Sequence, residues 1–396
     1  MDQRVAFIAD WLRDEFDMTE LAHRYGISRK TAYKWVERYR SDPLQGLVER
    51  SRAPHDHGRA MDAGTRRAII ALRHAFPRRG PKKLRAMLQA REPARGWPAA
   101  STIGDLLRRE ALSTPRRRVR HVVPLTQPLA AAVAPNDVWC ADFKGWFRTQ
   151  DGTRCDPLTI TDAYSRFVLC CRIVPPCEAG VRPWFERVFR EHGLPLALRT
   201  DNGTPFATTG AAQLSHLAVW WMKLRIQLDR IDPGHPEQNG RHERFHLTLQ
   251  QETSDPAAAT ARAQQRRFDR MRDEFNRERP HEALGQQPPA RFYAASPRPY
   301  PERLEDPWYD ATHHVRRVNK NGQVKWRGEW VFVSEAVRRE VVGIAESERG
   351  DWIVRFMELE LGRIDRRTRR FMPTWHGRPR APTPALADAP TAAGEA

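Results

Sequence analysis

At 396 residues the chain is longer than one ordinary domain and has room for three or four, each able to bury a modest core. Lys and Arg number 67 against 49 acidic residues, a formal charge of +18 that points to a polyanionic partner, nucleic acid above all. No apolar run approaches the roughly 20 residues that span a bilayer. No signal-peptide core or lipidation signal is evident, and five cysteines without C-x-x-C or Cys/His metal spacing suit reduced thiols. These features exclude a membrane span and a disulfide scaffold, and predict a cytoplasmic protein.

The first fifty residues read as helices. Val5, Ile8, Ala9 and Leu12 recur at helical spacing, Thr19 is placed to cap a short helix carrying Leu21, Ala22 and Tyr25, and Gly26 turns the chain. Ser28 then caps a helix over 29–39 that buries Ala32, Trp35 and Val36 and offers Arg29, Lys30, Thr31, Tyr33 and Lys34 outward. Helix, glycine turn and polar-faced second helix make a helix-turn-helix unit over 1–52, whose second helix is expected in the DNA major groove. A second helical unit over 60–112 shows stripes at Ala68, Ile69 and Leu72, at Leu84, Met87 and Leu88, and at Ile103, Leu106 and Leu107 behind a Ser101 cap. Lys82, Lys83 and Arg85 make it a second DNA-binding candidate. Residues 113–135, with Arg116, Arg117 and Arg118 followed by a Pro- and Ala-rich stretch, read as a basic linker along phosphates.

From Asp137 the period changes. VWCADF, CDPLTITD and RFVLCCRIV predict three consecutive antiparallel strands, followed by a helix over 182–192 and a short strand over 196–198 ending at Asp201. Further helices are expected at 213–223, 240–251 and 257–277. Strands followed by alternating helix and strand describe an α/β domain over 136–295 with helices on a mixed sheet. Short β-like runs over 310–372 predict a small β barrel, and the Pro- and Ala-rich 373–396 a disordered tail.

Two carboxylates stand out. Asp142 sits inside an apolar strand, and Asp201 lies just past the next parallel strand, where α/β sheets place ligands. Metal-dependent phosphodiester chemistry requires a third, and Glu237 and Glu243 in PGHPEQNGRHERFH compete for that place. Asp162 reads as a turn residue, and His235 and His242 as loop or DNA contacts rather than metal ligands.

Trp139-x-x-Asp142, Thr200-Asp201-Asn202-Gly203 and the PGHPEQNG segment together resemble the three signatures of the retroviral-integrase superfamily, to which many bacterial insertion-sequence transposases belong. In that pattern the metal-binding glutamate follows the glycine by three, which selects Glu243 in Gly240-x-x-Glu243-Arg244-Phe245. Glu237 has the spacing of 35 residues from Asp201 (237 − 201 − 1) common in the family, whereas Glu243 stands 41 away (243 − 201 − 1). The resemblance implies a ribonuclease-H-like core with a five-stranded mixed sheet. Two Mg²⁺ or Mn²⁺ ions would be held by Asp142, Asp201 and Glu243. It also implies binding of double-stranded DNA at terminal inverted repeats and at a target, and a homodimer or larger synaptic complex. Where relatives carry a basic DNA contact this chain has Gln250, leaving Arg241, His242, Arg244 or His246 to supply it. A decayed, DNA-binding regulator and a nuclease that cuts without joining are the competing expectations.

Overall fold

The computed structural model describes residues 3–48, 61–113, 129, 132–231 and 240–374. Arg116, Arg117, Arg118, Glu237, His235 and the tail from 375 lie outside them. The chain divides into two compact units, 1–63 and 64–396.

The first unit holds α1 (Gln3–Leu12), α2 (Met18–Arg24) and α3 (Arg29–Ser41). Its core is Phe7, Ile8, Leu21, Ala22, Ala32 and Val36, with Phe7 edge-on to the rings of Tyr25 and Trp35. The buried stripe of α1 is therefore Phe7 and Ile8, whereas Val5 and Leu12 of the expected stripe are exposed. Asp17, not Thr19, caps α2: its carboxylate accepts the N–H groups of Thr19 and Glu20, and Glu20 at N3 returns a bond to the Asp17 N–H. A charged acceptor with a reciprocal partner outcompetes a hydroxyl two residues too late. Gly26, at φ +62°, makes the turn into the Ser28 cap of α3.

The second unit opens with α4 (Ala63–Ala75), α5 (Pro81–Arg91) and α6 (Ala100–Arg109), packed through Ile69, Leu72, Leu84, Met87, Leu88, Ile103, Leu106 and Leu107. Ala99 rather than Ser101 precedes α6, and no side chain caps it. The sheet that follows contains β1 (Val138–Phe143), β4 (Pro157–Asp162), β5 (Val168–Ile173), β6 (Ala197–Thr200) and β7 (Gln227–Arg230), with a small hairpin, β2 (Phe147–Arg148) and β3 (Arg154–Cys155), off its edge. Its order is β5-β4-β1-β6-β7, antiparallel among the first three and parallel beyond. One face packs Trp139, Ala141, Leu158 and Ile160 on α7 (Glu178–His192) and α8 (His216–Lys223) through Phe185, Phe189 and Trp221. The other face packs Val168 and Cys171 on α9 (Gly240–Leu249) and α10 (Ala261–Arg277) through Phe245, Leu249, Phe268 and Phe275.

The Pro-rich stretch after α10 straps the core: Tyr293 stacks on Phe167 at 4.2 Å, and Arg298 donates to the carbonyls of Pro195 and Leu224. Beyond it, β8 (His314–Arg317) and β11 (Val341–Glu346) to β14 (Phe371–Pro373), with β12 (Trp352–Phe356) and β13 (Leu359–Ile364) between, form an open antiparallel sheet. A separate ribbon of β9 (Gln323–Trp326) and β10 (Glu329–Phe332) covers it. The expected barrel is thus two sheets around one core, with no hydrogen-bonded closure among the described residues. Ala218 and Val219 of α8 join that core, so the β region shares a helix with the central domain.

Candidate active site

Alternation along β1 turns Trp139 and Ala141 toward α7 and α8, which leaves Cys140 and Asp142 on the face that α9 covers. Parallel register pairs Ala141 with Thr200, so Asp142 and Asp201 are each the next residue along, at the same end of adjacent strands roughly 4.8 Å apart. The local sequence explains the approach: Asp201 leaves its strand into Asn202-Gly203, and a Cβ on Gly203 would sit 3.0 Å from the Asp201 carboxylate. Burial raises the Asp201 pKa, partly offset by the Gly203 N–H, and its buried Oδ1 has no hydrogen-bond partner. A buried carboxylate oxygen without a donor is costly and fits a position that a cation would complete.

Glu243 lies in the first turn of α9, exposed, where its charge suits the helix dipole. His242 and His246, four residues apart, anchor this helix to the sheet. The Thr159 hydroxyl, paired across the strands with Asp142, donates to the Asp142 carbonyl at 3.1 Å. It therefore accepts from His242 Nε2 at 2.6 Å and His246 Nε2 at 2.8 Å, while Thr161 Oγ1 donates to His242 Nδ1 at 3.0 Å. Both imidazoles are neutral in this arrangement. Burial and the facing ring hold His242 well below the usual histidine range, and burial with Lys144 nearby holds His246 down to about 3.

Asp142, His242 and His246 are the one set of three metal-type side chains whose ligand atoms lie within 4.8 Å of one another among the described residues. Asp142, Asp201 and Glu243 do not gather that tightly. Both nitrogens of His242 and Nε2 of His246 are taken up by Thr159 and Thr161, and Mg²⁺ favours oxygen donors, so the histidines read as the clamp that seats α9. His242, at 2 % exposure, is thereby removed from the expected DNA contacts, and His246 is turned inward beside it. Arg241 and Arg244 are exposed. Asp162 behaves as expected of a turn residue, accepting from Ser165 and Asn136. Lys144, two residues past Asp142, and the two threonines went unnoticed in the sequence; a Thr-x-Thr strand opposite a His-x-x-x-His helix was the available signal.

On the first unit, Arg29, Lys30, Tyr33 and Lys34 are exposed along α3, and Thr31 is half-buried at the Ser28 cap. Lys82 is exposed and Lys83 half-buried on α5.

The integrase core domain family matches residues 132–236 and 224–289, a helix-turn-helix domain family matches 3–55, and a homeodomain-like domain family matches 31–107. A 31.7 kDa protein of insertion element IS407 from Burkholderia multivorans is 28% identical over 281 residues, 70% of this chain and 94% of the relative. The chain is similar to insertion-sequence proteins, and its region 132–289 is similar to the integrase core. A 39.2 kDa protein of insertion element IS476 from Xanthomonas euvesicatoria is 30% identical over 181 residues, 45% of this chain and 50% of the relative. Among solved structures, the HTLV-2 integrase catalytic core domain in complex with magnesium covers 41% of this chain and 99% of its own, at 14% identity and TM-score 0.33. A simian T-cell lymphotropic virus intasome with a PP2A regulatory subunit covers 72% of this chain and 91% of its own, at 16% identity and TM-score 0.35. The integrase core carries a transposase or integrase role, with helix-turn-helix domains for DNA. No helix of the described residues is long and apolar enough to cross a membrane.

Proposed function

We propose that this insertion-sequence protein is a polynucleotidyl transferase that nicks DNA at element ends and joins the freed 3′ hydroxyl to target DNA, with Asp142, Asp201 and Glu243 as metal ligands. The unpartnered buried oxygen of Asp201 beside Asp142 carries the reading, because it costs stability unless a cation completes it. Two divalent ions, Mg²⁺ or Mn²⁺, would supply activation of the attacking oxygen and neutralisation of the leaving one. The protein's own contribution is positional. Adjacent strands hold the two aspartates, the histidine clamp holds the helix that presents Glu243, and Lys144, Arg241 and Arg244 bring positive charge for phosphates. α3 reads the major groove through Arg29, Lys30, Tyr33 and Lys34, the small β region completes the molecule, and synapsis of two ends calls for a dimer or larger complex. The protein works in the cytoplasm, where the DNA is.

Strand transfer on end-containing duplex tests this. Asp142→Asn, Asp201→Asn and Glu243→Gln should each lower joining by about 10²- to 10³-fold or more, the order of a lost preorganised electrostatic group, and Glu237→Gln should retain it. Joining that persists in any of the three removes that residue from the site. Cleavage without joining in the unaltered protein would make it a nuclease, and specific binding without cleavage a regulator.

A further inference from the structure

An open cleft of about 1040 Å³ lies between the second helical unit and the end of the catalytic core. One wall is α5 with the start of α6, and the other is the end of α10 with the turn around Gly285. Sites that enclose a small ligand run to roughly 300–1,000 Å³ and bury most of it. This cleft is at the top of that range and lies open to solvent, which suits a segment of a polymer.

Its charge is one-sided. Lys82, Arg85, Arg91, Arg277 and Arg291 line it against the single carboxylate of Glu278. Ala86, Ala90, Ala100 and Gly285 keep the lining low, so a bulky backbone can approach the walls. Behind α5 the positive field continues: burial with Arg279 and Arg79 nearby holds the Lys83 ammonium down to about 8. Lys82 is partly neutralised by Glu282 at 2.6 Å, so Arg85, Arg277 and Arg291 carry most of the available charge.

We propose that this cleft seats a stretch of DNA phosphodiester backbone, so that bound duplex is gripped jointly by α5 and by the trailing segment of the catalytic core. The inference rests on the reading that the chain acts on DNA, and it adds where one part of that DNA runs. A phosphate backbone matches the features together: high charge density, extended length and no demand for an apolar pocket. The ion pair of buried Arg79 with Glu274 ties the turn before α5 to α10, the helix that packs on the sheet bearing Asp142 and Asp201.

The experiment is fluorescence anisotropy of the full chain with a duplex of about 30 base pairs, over a salt series with chelator present. The double variant Arg85→Ala/Arg277→Ala removes two exposed cleft cations. Each phosphate contact contributes about 0.9 to the slope of log K against log salt, so the slope should flatten by about 1.8 and affinity should fall tenfold or more at low salt. Arg187→Ala/Arg190→Ala on α7, with equal charge removed outside the cleft, should bind within about twofold of the unaltered protein. An unchanged slope in the cleft variant, or an equal loss in the α7 variant, overturns the proposal. So does a cleft variant that binds DNA normally but loses self-association, since the cleft would then hold a second chain. Because chelator is present and binding alone is read, failure of joining chemistry would leave this result readable.

Discussion

Arg79 is 2 % exposed, lies 3.9 Å from the Phe76 ring centroid, and donates to Met87 Sδ at 2.7 Å and to the Glu274 carboxylate of α10. Burial lowers its pKa to about 10, with Glu252 and Glu278 nearby opposing the shift, so the guanidinium stays charged at neutral pH and is bonded to Glu274. Glu274→Gln removes the charge and keeps the shape. Charges about 4 Å apart attract by about 4 kcal/mol at an effective dielectric of 20. Glu274 is 32% exposed, and solvent screening roughly halves the figure, to about 2 kcal/mol. That is about 30-fold in an equilibrium. Hydrogen exchange should report this loss of protection in the amides of α5 and the end of α10, with β1 and β4 unaffected. Arg79→Met and the double variant complete a cycle: with the charge gone, Glu274→Gln should cost little more, giving a coupling near 2 kcal/mol. A coupling below about 0.5 kcal/mol, or a loss spread equally into β1 and β4, would refute the ion pair as the tie between helical unit and core.

Thr159→Val deletes the hydroxyl that bridges the Asp142 carbonyl to both imidazoles and leaves two buried nitrogens unpaired. At about 1–3 kcal/mol for each unsatisfied buried group and about 2–4 °C of melting temperature per kcal/mol, calorimetry should show a drop of at least about 4 °C; a drop under about 2 °C would mean the clamp does not hold α9. His281 is held down to about 3 by burial and by Lys83, Arg279 and Arg166. The unfolded chain therefore takes up its proton first as pH falls below about 6.5, and stability is lost from there toward pH 3, by at most about 1.4 kcal/mol per pH unit. His281→Phe keeps a ring against Phe275 and should flatten that acid limb of the urea midpoint, whereas an unchanged limb would place the acid sensitivity elsewhere.

The strands and helices of the central domain were legible because their apolar runs are long: β1, β4 and β5 fall where VWCADF, PLTITD and VLCCRI stand. β7 was not, since Gln-Leu-Asp-Arg at a half-exposed sheet edge has neither alternation nor an apolar run. In α1 the spacing could not choose between adjacent stripes, and the rings of Tyr25 and Trp35 decided for Phe7. The placing of Asp142 beside Asp201 follows from strand register and was within reach. Burial of His242 was not, because it depends on which helix face meets Thr159 and Thr161, a matter of tertiary packing. The shared core of α8 and the β region, and the cleft beside α5, likewise arise between elements distant in sequence.

The separation of Asp142 and Asp201 is a property of main-chain hydrogen bonding between neighbouring strands, not of the residues that connect them. Whatever joins those strands is free to grow, shrink or be exchanged while the two acids keep their spacing. On the assignment proposed above, the third acid sits on a helix with its own imidazole anchors, so its place does not rest on the 35- or 41-residue count from Asp201 (237 − 201 − 1; 243 − 201 − 1). On the same assignment, recognition of ends and target could change through these connections while the three acids keep their places.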